Sequence, residues 1–174
     1  MAKPADHPDF FRFPAPAGRS RESSIALDAQ GRFWHEGQLV EHPGMQRAFS
    51  SWIGRHPDDG RYILTNGYDW TYFRVEDEPF FVRSVRLEPA TQGHRIWLIL
   101  SDGSQERLTD QRLWIGSDNA LKVSIKNSKF NAKFTPSAQR ALEPVLGEKD
   151  GHIGLGTDVG WRPIGTSAEL PSSE

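Results

Sequence analysis

The 174-residue sequence contains no cysteine. Disulfide bonds, thiol nucleophiles and cysteine-based zinc sites are therefore excluded. No apolar run approaches the roughly 20 residues that a membrane-spanning helix needs, and the N-terminal segment lacks the apolar stretch of a signal peptide. The absence of cysteine also fits a reducing compartment. We therefore expect a soluble cytoplasmic protein that does not interact with a membrane.

The sequence has almost no net charge. Its 21 Lys and Arg residues nearly balance 23 Asp and Glu residues, which leaves a formal charge of -2. A near-neutral chain has no global attraction to nucleic acid or to anionic membranes, so we expect no specific nucleic-acid partner.

Common catalytic motifs are absent as well. The chain has no Walker-type loop, no G-x-S-x-G elbow and no kinase signature. The segment GHIGLGTDVG approximates a dinucleotide-binding fingerprint, but Val159 occupies the third-glycine position. His35 and His42 lie seven positions apart, a wider spacing than zinc ligands show on one strand or helix. We therefore expect no cofactor and no metal, and the usual nucleophilic and phosphoryl-transfer enzymes are disfavoured.

The sequence does contain a regular series of strand and turn signals. Ser24–Asp28 alternates apolar and polar residues and is followed by a turn and a second short strand, which predicts a hairpin. Asn66-Gly67 is a strong hairpin turn, because both residues tolerate positive φ. From Arg61 onward about seven strand candidates precede one helix, and a pleckstrin-homology-like sheet has this order.

Two similar segments predict helices: HPGMQRAFSSWIG, residues 42–54, and TPSAQRALEPVLG, residues 135–147. Both place apolar residues at i, i+3, i+4, i+7 and i+8, begin with proline in the first helical position and end at glycine. The shared P-x-x-Q-R-A-[FL] string favours a duplicated β-β-α unit, although two amphipathic helices could match by chance. Pro144 predicts a kink or an early end in the second helix.

These patterns predict an α+β fold with a duplicated β-β-α motif, a small N-terminal unit and an antiparallel, pleckstrin-homology-like C-terminal unit. The predicted organisation comprises a flexible lead (1–22), a β-β-α unit (23–60), a sheet with its helix (61–147) and a mobile tail (148–174). The composition of the tail, rich in Gly, Pro, Ser and Thr, is the basis for expecting mobility there.

Three stretches carry a resemblance to known families: Gly31–Gly37, Gly60–Tyr62 and Phe73–Phe80. Their W-H-x-G hairpin and V-E-D-x-P-F turn resemble the bacterial family named domain of unknown function 1285. The R-x-E-D-x-P part is also similar to uncharacterised protein family 0598, also named domain of unknown function 4505, which is found in eukaryotes. The resemblance covers roughly residues 25–146.

The resemblance to domain of unknown function 1285 implies a duplicated core whose C-terminal half superficially resembles a pleckstrin-homology fold. It further implies a site for a nucleotide-like ligand where the two halves meet, and a role in signalling. It implies no established activity.

Six residues form the candidate ligand site, since they combine aromatic rings, one arginine and carboxylates. Arginine beside aromatic residues can clamp a phosphate or stack on a base, and carboxylates can orient hydrogen-bond donors. The structural alternative is a tight turn at residues 76–79 with a surface Arg–Glu pair. The six are Trp34, His35, Tyr72, Arg74, Glu76 and Asp77.

A second feature is a basic hairpin near the C-terminal helix, whose alternation places lysines on the outer face of each strand. Such a face could attract phosphates. It could equally consist of solvated lysines that protect a sheet edge from aggregation. The lysines are Lys122, Lys126, Lys129 and Lys133.

The leading hypothesis is a non-enzymatic regulatory module that binds a small anionic, nucleotide-like ligand. One alternative is a novel enzyme that uses His35 and Asp77 as an acid–base pair, which requires the two side chains to lie within hydrogen-bond reach or one bridging water. Another is an adaptor that binds a protein partner through exposed sheet edges or the lysine face.

Overall fold

The computed structural model describes residues 2–167 of the chain. The chain divides into two compact units, residues 1–79 and residues 80–174. The part that the structure describes contains two α-helices and seventeen mostly short strands, so the expected α+β class is confirmed, with strand predominating. No helix in residues 2–167 is long and apolar enough to cross a membrane.

The first unit contains two small sheets. One has the strand order β3-β2-β1-β7, in which β1 and β7 are parallel, and the other is the antiparallel sheet β4-β5-β6. The strands are β1 (Ala26–Leu27), β2 (Phe33–His35), β3 (Gln38–Leu39), β4 (Ile53–Arg55), β5 (Tyr62–Thr65), β6 (Trp70–Tyr72) and β7 (Arg74–Val75).

Helix α1 spans Pro43–Ser51, close to the predicted range. Pro43 occupies the first turn, where its missing N–H leaves no bond unmade. His42 caps the helix, because its Nδ1 accepts hydrogen bonds from the backbone N–H groups of Gly44 (3.1 Å) and Met45 (3.4 Å). The helix ends before Ile53, which instead pairs with Leu64 in the β4–β5 ladder.

The N-terminal segment is structured rather than the flexible lead that its composition predicts. Two 3₁₀ turns, Pro4–Asp6 and Phe10–Arg12, bring the aromatic ring of Phe10 into a buried cluster with Ile63 and Trp70. An aromatic ring of this size contributes enough buried area to fix the segment that carries it. The lead therefore forms part of the first unit.

The second unit is built on one ten-stranded sheet with the main order β14-β15-β9-β8-β13-β12-β11-β17, while β10 pairs with β9 and β16 with β15. The strands are β8 (Phe80–Pro89), β9 (His94–Leu100), β10 (Gln105–Arg107), β11 (Leu113–Ile115), β12 (Leu121–Ile125), β13 (Phe130–Phe134), β14 (Leu146–Lys149), β15 (His152–Thr157), β16 (Gly160–Pro163) and β17 (Gly165–Thr166).

This sheet curls into a half-barrel. The longest ladder, β8–β9, shifts its register between Val82 and Ser84. An irregularity of this kind bends a strand and increases its local twist. The inward face of the curled sheet is the core of the unit, and its fully buried residues include Val82, Ile96, Leu98, Leu100, Val123 and Ile125.

The second helix is short. Helix α2 spans Pro136–Arg140, five residues, and a separate 3₁₀ turn follows at Glu143–Val145. The early end that Pro144 predicts is confirmed. The side chain of Thr135 caps α2 by accepting a hydrogen bond from the Ala138 N–H at 3.3 Å. The α1 helix has nine residues, so the shared string does not produce two helices of equal length.

Residues 148–166 are arranged in strands, where the composition predicts a mobile tail. Strands β14 to β17 lie in this region, and Leu155 is fully buried. Residues 168–174 of the expected tail lie outside the described part of the chain.

The expected boundary after residue 60 also differs from the observed division after Pro79. Strand β5 pairs with β4, and β7 pairs with β1, so backbone hydrogen bonds join residues 62–75 to the first unit.

Candidate ligand pocket

The second unit contains a cavity of about 840 Å³. Its walls come from β11 and the start of β12 on one side and from β14, β15 and β16 on the other, while α2 and the following turn contribute further residues. Cavities that take small molecules usually measure about 300–1,000 Å³. The cavity of the second unit therefore has the size of a ligand pocket.

Strand register explains why the walls are apolar. Leu155 lies opposite Leu146 on one side and opposite Arg162 on the other, so these three side chains share one face of the sheet. Alternation along β15 adds Ile153 to this face. Ile164 follows β16 and also lines the cavity, and its N–H donates a hydrogen bond to the Ile153 oxygen at 2.9 Å. The aliphatic lining residues are Leu113, Ile115, Leu121, Leu142, Leu146, Ile153, Leu155 and Ile164.

Arg162 is the charged residue on this inner face. Its Nη2 donates a hydrogen bond to the backbone oxygen of Gln111 at 2.9 Å, which fixes the guanidinium against the chain just before β11. Its Nε is buried and has no hydrogen-bond acceptor. Among residues 2–167, no carboxylate oxygen lies within 4.0 Å of the Arg162 guanidinium. The charge of Arg162 is therefore not neutralised by an ion pair within the described chain.

Other polar residues border the pocket. Gln139 is fixed because its Oε1 accepts a hydrogen bond from the Leu121 N–H at 2.9 Å. Asp110 is exposed and accepts a hydrogen bond from Thr109 Oγ1 at 3.2 Å. The Arg112 guanidinium lies over the Trp114 ring, 5.3 Å from its centroid, and both residues border the cavity, as does the exposed His152. Arg162 is the arginine on the face that Leu146 and Leu155 share.

The mouth of the pocket is apolar and accessible. Leu146 is 50% exposed and Ile153 is 57% exposed, although both line the cavity. Large aliphatic side chains at such exposure lose the benefit of burial unless something covers them. An apolar ligand that enters the pocket would cover both.

The first unit has a much smaller cavity of about 160 Å³. It lies beside Trp52, Trp70 and Leu64. Its volume is below the range of ordinary ligand pockets.

All six residues predicted as a ligand site lie in the first unit, and two of them are brought together. Trp34 and Arg74 both pair with Ala26, one from each neighbouring strand, so the three residues form a row across one face of the sheet. The Arg74 side chain is 74% exposed, and its nearest carboxylate contact is Glu76 at 3.8 Å. In this row an exposed arginine and a partly buried indole flank the buried Ala26. The Arg32 guanidinium also lies 5.6 Å from the centroid of the Trp34 ring.

Tyr72 lies in the other sheet of this unit. Its hydroxyl donates a hydrogen bond to Asp59 Oδ2 at 2.7 Å, and the Arg61 guanidinium lies 3.8 Å from its ring centroid. The hydrogen bond to Asp59, with some desolvation, raises the pKa of Tyr72 above its ordinary value. The phenol already has partners within its own unit.

The remaining predicted residues lie at strand ends. His35 is exposed at the end of β2, where it pairs with Gln38 across the hairpin. The Glu76 N–H donates to the Leu27 oxygen at 2.9 Å, and Asp77 follows in the bend, partly buried.

Asp28 is the organising carboxylate that the sequence patterns did not single out. It is buried, and it accepts hydrogen bonds from the Gln30 and Arg32 N–H groups, from Arg32 Nε and from Trp34 Nε1 at 2.8–3.0 Å. Burial raises the pKa of Asp28, but the hydrogen bonds from Trp34 and Arg32 outweigh it, so the pKa lies below its ordinary value. The signal was the Asp at the start of the DAQGR turn, because Asp side chains commonly bond the backbone two residues on.

The lysines of the predicted basic face do not form a uniform field. Lys126 Nζ lies 2.9 Å from Asp102 Oδ2, and Lys133 Nζ lies 2.5 Å from Asp118 Oδ2. Lys122 pairs directly with Lys133 across the β12–β13 ladder. Lys129 is exposed in the turn between these strands. Neighbouring carboxylates therefore compensate the charges of Lys126 and Lys133.

The fold is shared with solved structures. A DUF1285 family protein from Silicibacter pomeroyi DSS-3 superposes with a TM-score of 0.69 over 92% of this chain and 94% of that chain, at 19% identity. A DUF1285 family protein from Shewanella baltica OS155 gives a TM-score of 0.50 over 67% of this chain and 87% of that chain, at 16% identity. No protein-family model and no curated protein matches the sequence. The resemblance to domain of unknown function 1285 is thereby confirmed at the level of the fold.

Proposed function

We propose that this protein is a small-molecule-binding module and that its ligand occupies the pocket of the second unit. The observation that carries the proposal is the cavity of about 840 Å³ with largely aliphatic walls and with Arg162 on the face that Leu146 and Leu155 share. Largely apolar walls with a few fixed polar groups are typical of sites that bind and orient a small molecule.

The pocket supports binding more directly than catalysis. A catalytic site needs a base or nucleophile positioned against a reacting atom. The face that carries Leu146 and Leu155 presents aliphatic side chains with Arg162, and Gln139 borders the cavity; these groups can anchor a ligand. His152 and Asp110 also border the cavity, but both are exposed, and no hydrogen bond within residues 2–167 joins them as an acid–base pair. A regulatory role then follows from linkage, since a ligand that binds only the folded unit shifts its stability.

The proposal is tested by a thermal-shift panel with nucleotides, sugar phosphates and amphipathic carboxylates. Ile153→Trp places an indole at the mouth of the pocket, and we expect it to abolish the shift produced by an active ligand. Val159→Trp is the matched control, because Val159 is 54% exposed, close to the 57% of Ile153, yet does not line the cavity. A ligand shift that survives Ile153→Trp would place binding elsewhere, and no shift with any class would contradict the proposal.

The nucleotide-like ligand expected from the sequence has a second proposed location. The row formed by Trp34 and Arg74 offers an indole for stacking and an arginine for a phosphate. Arg74→Ala and Asp77→Ala would weaken a nucleotide-induced shift if this surface binds it, whereas Ile153→Trp would not. The acid–base pair of His35 and Asp77 and the adaptor role stay predictions.

A further inference from the structure

The pocket has an unbalanced charge at its polar end. We infer that its ligand is an amphipathic molecule with a single carboxylate head that binds Arg162, an inference that rests on the function proposed above. Three observations lead to it: the placement of Arg162, the burial and hydrogen bonding of its nitrogen atoms, and the number of charges on the inner face.

The placement of Arg162 leaves its charge without a counter-charge. Burying part of a guanidinium in an apolar environment is costly unless hydrogen bonds and an opposite charge compensate it. The described chain supplies one backbone carbonyl, that of Gln111, and no carboxylate within 4.0 Å. A ligand anion would supply what the chain lacks.

The three nitrogen atoms of Arg162 differ in access. Nε is buried and has no hydrogen-bond partner, and Nη2 donates a hydrogen bond to the Gln111 oxygen at 2.9 Å. Nη1 makes no hydrogen bond within residues 2–167 and is not among the buried unpartnered atoms, so it is accessible, and Arg162 lines the cavity. Because the tether to Gln111 fixes the plane of the guanidinium, Nη1 and the second hydrogen of Nη2 are pre-oriented for an acceptor. Carboxylates suit such a fork because both of their oxygen atoms can accept hydrogen bonds.

The number of charges selects the head group. Arg162 supplies one positive charge on the face that Leu146 and Leu155 share, and the guanidinium of Arg112, which also borders the cavity, lies over the Trp114 ring. A nucleotide di- or triphosphate would bring several charges into this largely apolar cavity. Unpaired charges in such a place are strongly disfavoured. The aliphatic walls and the exposed Leu146 and Ile153 favour a hydrocarbon body behind the head.

The test compares three compounds with the same alkyl chain and different heads: decanoate, decanol and decyltrimethylammonium. Binding to the full chain is measured by titration calorimetry below the concentrations at which the compounds form micelles. We expect decanoate to bind about tenfold or more tightly than decanol, since hydrogen bonds to charged groups discriminate to this extent. The cationic compound should bind most weakly.

Two substitutions assign the discrimination to Arg162. Arg162→Met keeps an apolar stem of similar shape but removes the charge, so decanoate affinity should fall to that of decanol while decanol affinity stays unchanged. Arg162→Lys keeps the charge and loses the planar fork, and should retain part of the preference. Arg140→Gln is the control for net charge, because Arg140 is exposed on α2 and does not line the cavity.

The outcomes separate the inference from the proposed function. Equal binding of decanoate and decanol to the unmodified chain overturns the carboxylate inference and leaves a pocket for apolar molecules. Tighter binding of decanoate that Arg162→Met and Arg162→Lys both leave intact also overturns it. If no decyl compound binds and nucleotides give a shift that Arg74→Ala removes, both the inference and the assignment of the pocket are wrong. The comparison of the three head groups on the unmodified chain still tests the inference if the Arg162→Met protein fails to fold.

Discussion

At the scale of single residues, Asp28 illustrates how one buried side chain organises its surroundings. Its two carboxylate oxygens receive four donors, two from the backbone of its own turn and two from the Arg32 and Trp34 side chains. A carboxylate that accepts this many hydrogen bonds remains ionised below its ordinary pKa. The turn that joins β1 to β2 therefore depends on a negative charge.

We expect Asp28→Asn to lower the free energy of unfolding by about 2 kcal/mol or more. Both oxygen atoms of Asp28 accept hydrogen bonds, so in either orientation the NH₂ group of asparagine would face a hydrogen-bond donor instead of accepting from it. The pKa of Asp28 is lower in the folded state, so its contribution is complete above the unfolded value near 4 and is lost as pH falls through the folded value. Urea titrations at several pH values should show the difference between the two proteins narrowing below about pH 4.

Asp150→Asn is the control for this experiment. Asp150 is exposed in a turn with φ 53°, a conformation that asparagine tolerates. Its unfolding free energy should follow that of the unmodified protein across the same pH range. An Asp28→Asn protein with unchanged stability at pH 7 would show that the four hydrogen bonds are not stabilising.

The β12–β13 turn contains three successive left-handed residues without a glycine: Lys126, Asn127 and Ser128, with φ of 52°, 56° and 62°. Serine tolerates this conformation less well than asparagine or glycine. Ser128→Gly should therefore raise the free energy of unfolding by up to about 1 kcal/mol. Ser128→Val should lower it, because a β-branched residue is most strained there. Thermal unfolding measures the effect, and a lower melting temperature for the Ser128→Gly protein than for the unmodified protein would contradict the expectation.

At the scale of elements, glycine permits the close packing of β14, β15 and β16. A Cβ atom on Gly154 would lie 2.5 Å from the Arg162 backbone oxygen and 2.6 Å from the Trp161 ring. The indole of Trp161 also lies over Gly147, the residue opposite Gly154. A high glycine content is typical of a mobile tail. In this segment, however, Gly147 and Gly154 leave the space that the Trp161 ring occupies.

Gly154→Ala should cost about 1–3 kcal/mol of stability, since the added methyl overlaps backbone and an indole that cannot both move away. Gly156→Ala is the matched control, because it lies two residues along the same strand and its Cβ would come no closer than 3.8 Å to the Val145 oxygen. The control should change stability by less than about 0.5 kcal/mol. Equal effects of the two substitutions in chemical denaturation would contradict this account.

At the scale of the whole molecule, the C-terminal strands complete the second unit. They provide the fully buried Leu155, one wall of the pocket and Arg162. Loss of one buried leucine alone costs about 2–5 kcal/mol, a large share of the roughly 5–15 kcal/mol that stabilises an ordinary domain.

A chain that ends at Val145 should therefore lose the cooperative unfolding of the second unit. Amide hydrogen exchange on β8 and β9 would report this loss, since β9 pairs with β15 and β8 is the next strand in the sheet. A chain that ends at Ser167 keeps every element described here and should retain protection. Full protection of β8 and β9 in the shorter chain would show that β14 to β17 are dispensable.

The sequence determined the features that depend on neighbouring residues. Alternation and turn residues predicted the strand-rich α+β class, Pro43 predicted the start of the first helix, and Pro144 predicted the early end of the second. The family resemblance predicted the fold that two solved structures share. Propensity, capping and turn chemistry act within a few residues, and a sequence pattern contains them.

Only the tertiary structure decided which strands pair and what the pocket contains. The parallel ladders β8–β13 and β11–β17 join segments about 50 residues apart, and Arg162 meets the Gln111 backbone across a separation of 51 residues. Strand pairing over such distances depends on the packing of the whole core, because alternation specifies a face but not a partner. The glycine-rich segment was expected to be mobile because its sequence does not reveal its distant strand partners. Arg162 was not singled out because its contact with Gln111 is visible only in the folded chain.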